Sequence, residues 1–190
     1  MDKVPLSFFQ TNNVQNIAQN LLGKTIYTNI SGKITSAIIT ETEAYQGPED
    51  NASHAYNNKR TTRTEVMYKT GGYCYIYLCY GIHYLFNIVT NVHDIPHAIL
   101  IRSGKKHSGI EYIQERRGAH IQTSKLLKGP GNFTKGLGID MKLNGVKLNT
   151  KHIWITNNEI QNSCITKTQR VGVDYAGEDA LLPWRYILQD

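Results

Sequence analysis

The chain has 190 residues and a formal net charge of +6, enough length for one sizeable core and too little for two ordinary domains. The charge favours a polyanion, either nucleic acid or an acidic membrane surface, while no membrane-length apolar run or signal-peptide pattern points to a spanning or exported protein. Three cysteines (Cys74, Cys79 and Cys164) form neither a disulfide framework nor a C-x-x-C zinc pair, so a reducing, cytoplasmic compartment is expected.

Thr11 or Asn12 can cap a first helix whose apolar stripe is Val14, Ile17, Ala18, Leu21 and Leu22, with Gly23 as its stop. Residues 26–29 and 32–45 read as strands joined at Ser31-Gly32. On the second of these, Glu41, Glu43 and Tyr45 point the same way, because side chains two apart share a face. The run Gly47-Pro48-Glu49-Asp50-Asn51 breaks the pattern, and a polar stretch carrying His54 and Arg60 follows as far as Arg63. Thr64 can cap a short helix through Met67, and Gly71-Gly72 precedes the most patterned part of the chain.

Tyr73, Tyr75 and Tyr77 alternate with Cys74, Ile76 and Leu78, which is the period of a strand. A second strand pattern after Gly81 puts Ile82, Tyr84, Phe86 and Ile88 on one face and His83, Leu85, Asn87 and Val89 on the other. The two form a hairpin with Gly81 at the turn and Tyr80 at the tip. A tyrosine there, in a basic protein, has the placement of a wedge between DNA bases. For Tyr73 and Tyr75, packing in the core is the plainer reading.

Residues 98–101 form another strand, ending at Arg102, and residues 110–117 a helix with cationic residues in its last turn and Gly118 as stop. Gly129-Pro130-Gly131 reads as a sharp turn into a short helical piece near Thr134, and from Val146 onward strands are expected at 151–156, 165–173 and 184–188. Strands dominate with helices set among them, so the expected fold is α+β, a single domain over residues 1–190.

Glu41 and Glu43 lie about 6.5 Å apart along a strand, near the carboxylate separations of glycoside hydrolysis, although a surface strand bearing two solvated glutamates has the same spacing. A single glutamate acting as base toward water needs no second carboxylate. His93 and His97 have the spacing of helical zinc ligands, but Asp94-Ile95-Pro96 between them opposes a helix, so no metal site is expected. His54 alone reads as a satisfied loop histidine more readily than as a catalyst. The glycines at 71, 72 and 81 precede no helix as a phosphate cradle would, and no nucleotide cofactor is expected.

Together these segments resemble the alkyladenine (3-methyladenine) DNA glycosylase family. The matching stretches are Glu41-Thr-Glu-Ala-Tyr-Gln-Gly-Pro-Glu-Asp50 with Ala52-Ser-His54, Thr61-Thr-Arg63 before Met67, and Tyr75-Ile-Tyr77 with Tyr80-Gly81 through Asn87. Arg102, Gly129-Pro130-Gly131, Arg170-Val-Gly172 and Pro183-Trp184-Arg185 extend the match over almost the whole chain. Thr62 departs from a common proline, and the connection at 91–98 is longer than in some relatives.

The resemblance implies a domain built around a curved antiparallel sheet with a protruding hairpin. It also implies a monofunctional enzyme that flips alkylated or deaminated purines out of double-stranded DNA and hydrolyses their glycosidic bond. By matching position, Glu43 is implied as the base for water and Arg102 as a residue holding that water. Tyr45 and His54 would sandwich the flipped base, Tyr77 would close the pocket edge-on, and the backbone of Ala52 would read the base edge. Tyr80 would fill the gap in the duplex, and Asn87 would crowd a guanine 2-amino group. Neither a metal nor an organic cofactor enters this scheme, no membrane is involved, and a monomer is expected. Two other classes fit parts of the pattern: a sugar-specific hydrolase using Glu41 with Glu43, and a non-catalytic nucleic-acid-binding module.

Overall fold

Val14, Ile17, Ala18 and Leu21 recur at helical spacing, and in the computed structural model, described over residues 2–157 and 164–189, they are the buried face of α1 (Val14–Leu21). The cap is Asn13, one residue later than expected: its Oδ1 accepts the Asn16 N–H at 2.8 Å, satisfying a donor at the open end of the helix. Strands β1 (Thr25–Ile30) and β2 (Lys33–Gln46) follow, and β2 organises the fold. The hairpin strands are β3 (Cys74–Cys79) and β4 (His83–Thr90), followed by β5 (His97–Ser108), β6 (Ile153–Thr156), β7 (Ile165–Thr168) and β8 (Arg185–Leu188). All pair antiparallel, in the order β3-β4-β5-β2-β1-β6, with β8 on the second half of β2 and β7 on β8. Helices α2 (Ile110–Arg117) and α3 (Pro130–Leu137) complete the α+β fold.

One face of the sheet carries Ala44, Ile76, Phe86, Ile88, Ile99 and Ile101, which pack with residues of α1, Ile113 of α2, and Phe133 and Leu137 of α3. Burying such side chains stabilises the fold by about 1.5–3 kcal/mol each. Gly104 permits the close approach of α3: a Cβ there would lie 2.9 Å from the Phe133 ring and 2.8 Å from the Ile38 carbonyl oxygen. The opposite face of the sheet is left for the site.

Several expectations are corrected. Strand β5 runs six residues past Arg102, because pairing with β2 continues to Ser36↔Ser108 although the sequence there turns polar. Gly129-Pro130-Gly131 is the start of α3 itself, with Pro130 at a position where a missing N–H costs nothing. Strand β7 stops at Thr168, short of the expected Val173, and residues 170–173 leave the sheet toward the site; a 3-10 segment, Asp174–Leu181, follows before β8. Strand β6 starts at Ile153 rather than at residue 151. Thr64 stands at the cap position of the short turn Glu65–Tyr68 as expected, but its hydroxyl makes no capping bond; it accepts the Thr61 N–H and donates to the Lys59 carbonyl. Ile82 belongs to the turn and is exposed, so it does not share the buried face of Phe86 and Ile88.

Candidate active site

The site is laid out by ranks of the sheet. Tyr75, Asn87, Leu100, Glu43 and Arg185 are successive cross-strand partners over β3, β4, β5, β2 and β8, so they form one row. Val89, Ala98 and Tyr45 form the next row on the same face. Paired irregularities bring Glu43 into this row. Pairing passes from Ile39↔Gly104 to Glu41↔Ser103 and then to Thr42↔Ile101, which leaves Thr40 and Arg102 unmatched. The phase of β2 shifts there: Ala37 and Ile39 face the main core before it, and Ala44 does so after it. Bulges re-aim side chains in this way beside functional sites.

Above this floor lies a cavity of about 430 Å³ lined by Tyr45, His54, Tyr77, Asn87, Leu100 and Arg102, among others. The Glu43 side chain is completely buried. Its Oε1 accepts the Val171 N–H at 2.8 Å, and its Oε2 accepts the Tyr45 hydroxyl at 2.8 Å and the Arg102 guanidinium at 3.3 Å. Burial raises its pKa above the ordinary carboxylate value, partly opposed by Arg102 and these donors. Glu41 lies the other way: burial would raise it, but the Ser103 hydroxyl, Arg102 and Arg185 together hold it low. Both Glu41 oxygens are engaged, Oε1 by the Nε atoms of Arg102 and Arg185 at 2.9 and 2.6 Å, and Oε2 by Ser103 at 2.6 Å.

The walls are neutral aromatics. His54 is lowered to a pKa of about 4 by burial and then by Arg63 and Lys59, so it is uncharged at neutral pH. Its Nδ1 shares a hydrogen bond of 2.8 Å with the Tyr75 hydroxyl, and its ring meets Tyr77 edge-on at 4.6 Å. Burial, then the adjacent Glu43, pushes the Tyr45 phenol well up, so it too stays protonated. Asn87 is buried and donates from Nδ2 to the Tyr75 carbonyl at 3.2 Å.

The loop bearing Ala52 and His54 is fixed by an ion pair between Asp50 and Arg170, both fully buried. Asp50 also accepts the Gln46 and Ala52 N–H groups. Arg170 donates to the Ala44 and Asp179 carbonyls and lies between the Tyr45 and Trp184 rings, 4.9 and 5.1 Å from their centroids. The Ala52 N–H is therefore consumed within the protein, while its carbonyl accepts the Tyr175 hydroxyl at 3.3 Å and keeps a second lone pair.

The sequence of residues 7–190 matches the methylpurine-DNA glycosylase (MPG) family. The chain belongs to that family. It is 44% identical over 186 residues to a protein of Chlamydia felis, covering 97% of this chain and 95% of the relative. It is 42% identical over 193 residues to one of Natranaerobius thermophilus (99% and 96%) and 38% over 194 residues to one of Bacillus cereus (97% and 94%). All three relatives are provisionally named 3-methyladenine DNA glycosylase. Membership makes this a monofunctional DNA glycosylase of base-excision repair, and it sets aside the sugar hydrolase and the non-catalytic module.

In this methylpurine-DNA glycosylase fold, the cavity brings together Tyr45, Ala52, His54, Tyr77, Asn87 and Arg102, with Glu43 held against Tyr45 and Arg102. Tyr80 stands at the cavity rim on the hairpin tip, 92% exposed, where it and Gly81 both take positive φ (50° and 72°). That conformation is costly for a tyrosine, and Gly81 eases the turn. Tyr75 serves two purposes, buried as the core reading had it and bonded to His54. Among the described residues no cluster of three histidines, cysteines or acids could hold a metal; His93 pairs with Asp94, and His97 with the Gly47 carbonyl. Also among the described residues, no helix is long and apolar enough to cross a membrane.

The sequence reading missed Asp50, Arg170, the Val171 amide and the anchoring of Arg102 by Glu41. A backbone N–H carries no side-chain signal. Asp50 and Arg170 are 120 residues apart and pair only through the fold.

Proposed function

We propose that this glycosylase acts on double-stranded DNA, as a monomer with residues 1–190 forming one domain. It flips alkylated or deaminated purines of the 3-methyladenine, 7-methylguanine and hypoxanthine type into the cavity and releases them with a water molecule activated by Glu43. The observation that carries this is a fully buried carboxylate with raised pKa, bonded to Tyr45 and Arg102 where these line an aromatic cavity. Tyr80 fills the hole left in the duplex, offsetting an unstacking cost of a few kcal/mol. Tyr45 and His54 sandwich the base, and Tyr77 closes its edge. Because these rings are neutral, a cationic purine stacking on them gains about 0.5–2 kcal/mol. The Ala52 carbonyl accepts a donor from the base edge, and Asn87 excludes a guanine 2-amino group.

In the reaction the C1′–N bond breaks with its electron pair leaving on the purine. Glu43 stabilises the positive charge that develops on the sugar; the water oxygen, held with help from Arg102, bonds to C1′, and its proton passes to Glu43. A cationic purine leaves as the neutral base, whereas hypoxanthine leaves as an anion that takes a proton from solvent; Glu43 returns its proton to solvent, and the other product is an abasic site with an intact backbone. A paired-carboxylate scheme has less support, because Glu41 is tied to two arginines and Ser103. The test is base release from duplexes each carrying one defined lesion. Release of hypoxanthine and 7-methylguanine, with the undamaged duplex left intact, is expected. Release from none of them would overturn the proposal.

A further inference from the structure

A second cleft of about 470 Å³ adjoins the base cavity, lined by Asn51, Lys59, Thr61 and Arg63, with Ser53, His54 and Tyr175 common to both. Its wall carries two cations, Lys59 and Arg63, while the acids nearby are bonded to other groups: Glu65 and Asp94 to Arg60 at 2.7 and 2.9 Å, Asp179 to the Asn51 amide at 2.8 Å, and Asp50 to Arg170. Among the described residues, neither Lys59 nor Arg63 has an acidic partner. The Arg63 guanidinium lies 4.9 Å from the Tyr77 ring centroid, which keeps it beside the base cavity. The field of both cations reaches that cavity, since they are the charges that depress His54.

Two unpaired cations next to a cavity for a positively charged purine would oppose its entry unless an anion lay between them. A phosphodiester fits: its two anionic oxygens suit the fork of an arginine, with a lysine as point charge. A backbone phosphate next to a flipped nucleotide lies beside the mouth of the cavity.

We propose that this cleft seats one phosphodiester of the lesion strand, and that the seated phosphate cancels the field of Lys59 and Arg63 on the base cavity. A cationic purine is then admitted only with its backbone in place. This rests on the base-flipping reading above. It makes the phosphate contact selective, worth more to a cationic lesion than to a neutral one.

The experiment uses duplexes carrying 7-methylguanine (cationic) or hypoxanthine (neutral), with single phosphates around the lesion replaced by neutral methylphosphonate. Dissociation constants and single-turnover release are measured for wild type and for the double variant Lys59→Gln, Arg63→Gln. Both side chains are exposed, so the variant should fold. In wild type, one position should penalise 7-methylguanine more than hypoxanthine, by on the order of tenfold. In the double variant that extra penalty should vanish, and the salt slope of binding should fall by about one. The pair Lys59→Arg, Arg63→Lys should restore the wild-type pattern. Equal penalties for the two lesions, or an unchanged pattern in the double variant, would overturn the proposal. So would competition by inorganic phosphate at matched ionic strength with no position-specific penalty, which would mark a site for free phosphate. Binding is read separately from release. A selective penalty in binding without base release would therefore sustain the cleft and refute the glycosylase mechanism, and release with uniform penalties would do the reverse.

Discussion

Asp50→Asn should be among the most damaging single-atom changes in the molecule. The Asp50 carboxylate accepts four hydrogen bonds: both terminal nitrogens of Arg170, and the N–H groups of Gln46 and Ala52. Asparagine keeps one acceptor oxygen and turns an NH2 group toward donors, while Arg170 stays charged and buried between Tyr45 and Trp184. Breaking a buried pair by removing one partner costs about 3–5 kcal/mol. A domain's whole stability is about 5–15 kcal/mol. With a urea slope of about 1–3 kcal/mol per molar, the unfolding midpoint should fall by about 2 M. Equilibrium urea unfolding followed by tryptophan fluorescence measures this, since Trp184 contacts Arg170. Asp179→Asn, which alters a surface carboxylate bonded to Asn51, is the control and should stay within about 0.5 kcal/mol of wild type. A midpoint for Asp50→Asn within about 0.5 M of wild type would refute the claim that this pair fixes the loop.

Tyr80→Ala should slow base release from duplex DNA more than from a single strand, because a single strand needs little unstacking; equal slowing on both would mean that Tyr80 is no wedge. Asn87→Ser should relax discrimination against guanine-type bases by about 1–3 kcal/mol while activity on hypoxanthine survives, as read by release from guanine mispairs; no gain on those mispairs would refute the gate. In the proposed mechanism Glu43 acts deprotonated, and its pKa is raised, so single-turnover rates should fall on the acid side at a pH above the ordinary glutamate value, before His54 protonates near pH 4. The sign for stability is opposite: a raised carboxyl pKa contributes stability that is lost as pH rises through it, so the Glu43 contribution to the urea midpoint should fall from the acid side toward pH 7. An acid limb at or below the ordinary glutamate value would contradict the buried-base assignment.

Local patterns were the legible part of this fold. The stripe of α1, the bounds of α2 and the alternation around Tyr80-Gly81 each report one element's own periodicity, and each stands close to where the residues put it. What depends on a neighbouring strand was not legible. The polar end of β5 is a strand only because β2 pairs with it, and the phase shift at Thr40 and Arg102 has no signature in composition. Residues 170–173 look like strand, yet they leave the sheet, with Arg170 reaching Asp50 and Val171 reaching Glu43. The candidate site residues could be gathered only through the family resemblance. Their spacing along the chain does not reveal that Tyr75, Asn87, Leu100 and Glu43 share one row.

Water activation by Glu43 is the centre of the account, and single-turnover release of hypoxanthine from a duplex by Glu43→Gln tests it most directly. Glutamine preserves the shape and loses only the proton acceptor and its charge. The rate should fall by about 10²–10⁴-fold while the dissociation constant for the lesion duplex changes little. A Glu43→Gln rate comparable to that of wild type would contradict the mechanism.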